Sequence, residues 1–181
     1  MHIRLVPIDT RLGEHSLETI ASKIEEGLAF SPITIELCKP LELHGAYYPH
    51  PTSAELYRIF LSDRYPRHTL ALTSRSIGED LSNNRQPKIY CGWSWIAEGY
   101  AIAKTRSGFT RDEKNTDLAH TAIHEILHWA NIQHHRKPTW IDRELCLMMP
   151  ETQPHNTHDV PCDTCQYRFN DFARSRRRRK T

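Results

Sequence analysis

The chain has 181 residues, 38% of them hydrophobic and 25% charged, a balance that fits one globular domain or two small lobes sharing a core. No run of about 18 apolar residues occurs, which excludes a membrane-spanning helix, and the acid-containing N-terminal stretch lacks the apolar segment of a secretory signal. Six of the 24 Lys and Arg lie between Arg174 and Lys180; the other 18 stand against 22 acidic residues, so a mildly acidic body carries a basic tail.

In chain order, His2 to Ile8 has strand character, and Ser16 to Leu28 carries Leu17, Ile20, Ala21, Ile24 and Leu28 at helical spacing, with Ser16 as the expected cap. Ile33 to Leu37 alternates and is β-branched, a strand. Thr52 to Leu61 predicts a second helix, and Thr69 to Thr73 a third strand. This β-α-β-α-β order predicts a sheet with crossover helices. Ile89 to Ile96 and Ala101 to Thr105 predict a hairpin at the sheet edge, and Arg106 to Lys114 a polar loop. From Thr116, the expected cap, to about Gln133, Leu118, Ala119, Ala122, Ile123, Ile126, Leu127 and Ala130 form a broad apolar stripe. After Pro138 the chain is irregular, with a short helix expected at about Gln166 to Ala173 and a disordered basic tail over 174–181.

Five cysteines, an odd number, argue against a disulfide framework and for a reducing compartment, here the cytoplasm. Cys38 and Cys91 stand alone in apolar stretches, whereas Cys146, Cys162 and Cys165 cluster late, where most of the 12 histidines also fall. On the long helix sits His124-Glu125-Ile126-Leu127-His128. Histidines at i and i+4 share one helical face and can reach one cation; zinc accepts neutral imidazole in tetrahedral geometry. Glu125, beside the first histidine, can take a proton from a zinc-bound water and pass it to a leaving amine. A zinc site of this kind needs a third protein ligand, and His134 follows ten residues after His124. In proteins with the extended pattern H-E-x-x-H-x-x-G-x-x-H the helix ends at the glycine; Asn131 stands at that place here, and after glycine, asparagine adopts the left-handed conformation most readily.

His124 to His134, followed by Cys146-Leu147-Met148 and the Cys162-x-x-Cys165 pair, resembles the archaemetzincins, zinc metalloproteases of the metzincin clan, over the chain to about Phe172. The resemblance implies an α/β (α+β) metzincin-like fold. A mixed sheet with crossover helices would form an upper lobe of about 1–133, and a small zinc-stabilised lower lobe would cover about 134–173. It further implies that His124, His128 and His134 hold a catalytic zinc, that Glu125 is the general base, and that Met148 lies in the methionine turn, with Met149 its competitor. In that family four cysteines hold a second, structural zinc. Here His135 stands for the first and Cys146, Cys162 and Cys165 match the rest, with His155 and His158 as alternatives for the fourth ligand and Arg136 to Leu145 an added loop. Two zinc ions per chain are therefore expected. The hairpin strand Ala101-Ile102-Ala103 is the candidate edge for a bound peptide.

The expected activity is peptide hydrolysis on a peptide or protein substrate, with no membrane partner. Two alternatives stand beside it. One is a gluzincin-type site in which Glu144 replaces His134. The other is a zinc-stabilised binding protein whose tail contacts nucleic acid, although no aromatic residue is interleaved with the tail arginines to stack on bases. The sequence identifies neither a cleavage preference nor an oligomeric state.

Overall fold

The strand signals of the first half assemble into one mixed sheet. The computed structural model describes residues 1–8, 12–41, 58, 66–73, 77–78, 89–90, 92–96, 99–104, 111–149 and 157–178. Its strands are β1 (His2–Ile8), β2 (Thr34–Leu37), β3 (Thr69–Thr73), β4 (Ile77–Gly78), β5 (Ile89–Tyr90), β6 (Gly92–Trp95), β7 (Tyr100–Lys104), β8 (Trp140–Ile141) and β9 (Glu144–Leu145). The main sheet has the order β2-β1-β3-β7-β6, while β4-β5 and β8-β9 are separate two-stranded ribbons. Its first three ladders are parallel, as crossover connections require, and β6 closes the sheet antiparallel to β7.

Register decides which side chains meet the helices. Leu5 lies opposite Leu70, Leu70 opposite Ala101, and Ala101 opposite Ser94. Side chains alternate along each strand, so this row and its neighbours two residues away, among them Ile3, Leu72, Ala103 and Gly92, share one face. On that face pack α1 (Glu14–Gly27) and α2 (Arg111–His128). Leu17, Ile20 and Ile24 of the first join Leu118, Ala119, Ala122, Ile123, Ile126 and Leu127 of the second in the main core. The intervening residues Val6, Ile8, Ala71, Tyr100 and Ile102 form a smaller core on the other face, with Trp95 against it. The third helix, α3 (Asp163–Arg178), adds Cys165 and Phe169 to the main core.

Several boundaries differ from expectation. The first helix begins two residues early, capped by the backbone of Gly13, and Ser16 is a buried first-turn residue rather than the cap. The second long helix starts at Arg111, so Thr116 is not its cap and residues 111–114 are not loop; Asp112 and Glu113 place negative charge on its first turn. Its opening turns are polar and lack the apolar stripe, which hides them from a periodicity reading. The last helix extends beyond 166–173 at both ends, and its backbone carries the basic run as far as Arg178 instead of leaving it irregular. The added loop after His135 contains the small β8-β9 hairpin, turned by Asp142 (φ 47°) and Arg143 (φ 75°). The helix expected at Thr52 to Leu61 lies outside the described residues except for Arg58, which is helical.

The two core helices pack closely at Gly27. A Cβ there would stand 2.5 Å from Ile123 Cδ1 and 2.8 Å from the backbone oxygen of Asp159. The carbonyl cannot swing aside as a side chain can. Gly27→Ala is therefore expected to lower stability by about 1–3 kcal/mol, the range for an overpacked core. Urea denaturation of the variant beside the parent chain checks it.

Candidate metal centre

The core helix ends in a backbone device that delivers the third histidine. The Trp129, Ala130 and Asn131 amides bond to the carbonyls of Ile126, Leu127 and His128, tightening the last turn. Asn131 takes φ 55°, the left-handed conformation expected of it, and the chain reverses. The buried Ile132 anchors the returning segment, and His134 follows.

The three histidine rings then converge. His124 Nε2 lies 2.9 Å from His134 Nε2 and 3.2 Å from His128 Nε2. Each helical histidine is held from behind by a carbonyl: His124 Nδ1 is 2.6 Å from Leu147 O, and His128 Nδ1 is 2.7 Å from Ile132 O. A carbonyl can only accept, so both Nδ1 atoms carry the proton and both Nε2 lone pairs face the common point. Lone pairs crowded together repel unless a cation lies between them. Tetrahedral coordination at ordinary zinc–nitrogen distances separates the nitrogens by roughly 3.3 Å, close to the spacing found. Burial lowers the pKa of His128 and His134, keeping them neutral as metal ligation requires.

Glu125, next to His124 in the chain, lays its carboxylate against β6. The residue is 6% exposed, and Ser94 Oγ donates to Oε2 at 2.6 Å; the same hydroxyl also lies 2.8 Å from the Glu125 backbone oxygen. Gly92, two residues earlier on the same face, leaves the space the carboxylate fills: a Cβ there would overlap Oε1 and stand 2.7 Å from Cδ and Cγ. Burial pushes the Glu125 pKa up to about 7, with the Ser94 hydrogen bond pulling the other way. Gly92 and Ser94 were not legible as site residues, although a small polar residue between two tryptophans in a strand hints at a crowded face.

A second donor cluster lies one residue along. His135 Nε2 and the sulfurs of Cys146, Cys162 and Cys165 all fall within 4.8 Å of one another, as do the ligand atoms of the histidine triad among themselves. His135 Nε2 is 3.4 Å from both Cys162 Sγ and Cys165 Sγ, which are 3.6 Å apart. Tetrahedral zinc on mixed sulfur and nitrogen donors would space them at roughly 3.5–3.8 Å. The Cys146 thiol is drawn below its usual pKa, first by the Cys165 thiol donating to it and also by the Cys162 and Met148 amides. Cys165 is raised, chiefly by that same hydrogen bond, and Cys162 by burial. Three thiols cannot all ionise together without a cation to balance them.

The structure thus brings together His124, His128 and His134, and separately His135, Cys146, Cys162 and Cys165. Met148 is fully buried in the core and Met149 is half-buried. Glu144 sits exposed on β9 and is not grouped with the helical histidines; the side chain the structure brings to them is His134, contrary to the arrangement a gluzincin-type layout needs. His158 bonds Val160 through Nδ1 and is not in the thiol cluster; His155 lies outside the described residues. Ala101 to Ala103 is not an edge. It lies in β7 between β3 and β6, and among the described residues the outer strand on this side is β6.

No family model and no curated protein sequence matches the chain. Solved structures do. The archaemetzincin of Methanopyrus kandleri superposes with a TM-score of 0.71 at 16% identity, over 97% of this chain and 96% of that one. The archaemetzincin of Archaeoglobus fulgidus, complexed with malonate, gives 0.69 at 15%, over 93% and 99%. A zinc-dependent peptidase from Methanocorpusculum labreanum gives 0.62 at 14%, over 92% and 100%. The chain has the archaemetzincin fold. The mixed α/β architecture expected above is therefore the observed one, and the archaemetzincin fold here carries a histidine in a cluster otherwise built of cysteines.

The turn at Asn131 offers a direct check on how the triad is delivered. A β-branched residue forced to positive φ costs about 1–2 kcal/mol, whereas glycine accepts it freely. Asn131→Val is expected to lose that much stability. Asn131→Gly, which gives up only an exposed contact with Gln133, should match the parent in the same denaturation experiment.

Proposed function

We propose that the chain is a zinc-dependent peptidase. The observation that carries the reading is the convergence of three imidazole nitrogens: those of His124 and His128 on the helix that also bears the buried carboxylate of Glu125, and that of His134 from the segment returning after it. The archaemetzincin fold, shared with a protein described as a zinc-dependent peptidase, supports it. Zinc, when held by the triad, supplies Lewis-acid polarisation of a carbonyl and lowers the pKa of water.

The remaining work falls to side chains of the protein. Glu125 is the general base and then the general acid: its carboxyl, raised to about 7 by burial, can take a proton from the attacking water near neutrality and return it to the leaving amine. Ser94 orients the carboxylate, and Gly92 admits it. Met148 is the methionine of the turn whose Leu147 carbonyl holds the His124 ring. His135, Cys146, Cys162 and Cys165 hold a second zinc with a structural role, tying α3 to the segment after the triad. Residues 1–173 form one catalytic domain acting on peptides. No helix of the described residues is long and apolar enough to cross a membrane, and the free thiols of Cys38, Cys146, Cys162 and Cys165 suit a reducing compartment such as the cytoplasm.

Replacing the carboxylate by its amide separates chemistry from metal binding. Glu125→Gln is expected to lower peptide hydrolysis by at least about 100-fold. The zinc content should stay at the parent's value, measured by elemental analysis beside a quenched-peptide assay. Hydrolysis at the parent rate would overturn the assignment of Glu125, and a parent chain that holds no zinc would overturn the reading itself.

A further inference from the structure

We propose that the two clusters bind their cations cooperatively: a metal on His135, Cys146, Cys162 and Cys165 raises the affinity of His124, His128 and His134 for theirs, and the reverse. The inference rests on the metallopeptidase reading only in taking both clusters as metal sites.

One three-residue stretch serves both clusters. Cys146 gives its sulfur to the thiol cluster. The next residue, Leu147, gives its carbonyl to His124 Nδ1 at 2.6 Å. The one after, Met148, gives its carbonyl to the backbone amide of His135 at 3.0 Å. On the other strand of the connection, His134 and His135 are neighbours in the chain, one in each cluster. The two sites are therefore joined twice, through a peptide bond at 134–135 and through the Cys146–Met148 turn. That turn is closed by the Met149 amide on the Cys146 carbonyl and packed by side chains that are fully buried.

The thiol cluster itself is gathered from three separate segments: the irregular stretch after the triad at 135, the turn at 146, and the residues at and just before the start of α3, 165 and 162. Within it the contacts between segments are weak ones, such as the Cys162 amide on Cys146 Sγ at 3.4 Å. A cation drawing these ligands together fixes the turn and His135, and so settles the Leu147 carbonyl behind His124 and the position of His134. The triad then binds with its ordering cost already met. Groups that orient a metal-ligating histidine from behind typically change metal affinity 10–100-fold, and any such coupling is reciprocal.

Cobalt(II) titration of the full chain reads the two clusters apart. Thiolate-to-cobalt absorption arises only at the cysteine cluster, and the ligand-field bands of the histidine site remain once that cluster is disabled. Cys162→Ser removes a thiol outside the shared turn. It is expected to weaken cobalt binding at the triad about tenfold or more. His128→Ala, which leaves every cysteine and the turn in place, should weaken the thiolate-to-cobalt titration by a similar factor. Should Cys162→Ser unfold, the His128→Ala titration decides alone. An unchanged affinity in either folded variant overturns the coupling while leaving both metal sites standing. No cobalt uptake by the unmutated chain would sink the metallopeptidase reading together with it.

Discussion

The site depends on the way α2 lies against the sheet. An α-helix turns 100° per residue, so one helix can address three directions at once. Leu118, Ala119, Ala122, Ile123, Ile126 and Leu127 form the buried stripe against α1 and the central strands. Glu125 falls to the side of β6, where Ser94 grips its carboxylate and its backbone carbonyl together. His124 and His128, a turn apart, face the returning segment. Rotating the helix by one residue would drive a histidine into the apolar core and pull Glu125 off the sheet edge. The packing that stabilises the fold is thus also what separates the Glu125 carboxylate from the histidine face.

Around that helix, the backbone supplies most of the orientation. The two helical histidines are fixed by carbonyls of Leu147 and Ile132, and the turn at Asn131 sets where Ile132 stands. Backbone carbonyls accept without regard to side-chain identity, so such supports survive extensive sequence change. That fits a chain which shares 13–16% identity with solved structures it superposes on over nearly its full length. Trp129 adds a side-chain tie of the same kind, its indole donating to the Tyr100 carbonyl at the start of β7 and locking the helix end to the sheet.

What could be read from the sequence follows from the same physics. That His124 and His128 share a face was legible because helical spacing is local: four residues make about one turn, whatever the fold. Asn131 was legible because few residues accept positive φ. Strands β1, β2 and β3 were legible from β-branched and apolar alternation, and β3 occupies the expected residues. Helix starts were not, since Gly13 caps with its backbone and the first turns of α2 are polar throughout. The edge of the sheet was misplaced by one strand, because strand order is a property of pairing and not of any single segment. Gly92, Ser94 and the Leu147 carbonyl escaped for the related reason that their partners lie 23 or more residues away.

The histidine in the second cluster also bears on charge. Four thiolates around a divalent cation leave a net charge of −2, and three thiolates with a neutral imidazole leave −1. The lower charge is cheaper to hold among half-buried residues such as His135 and Cys162 beside the fully buried Cys146. It still opposes the positive charge of a cation on the triad next door, because a net negative centre remains one peptide bond away through His134–His135. With a divalent cation in the cluster, a histidine in place of a cysteine would soften the electrostatic field without reversing its sign, and a second cation on the neighbouring triad would still meet a favourable setting.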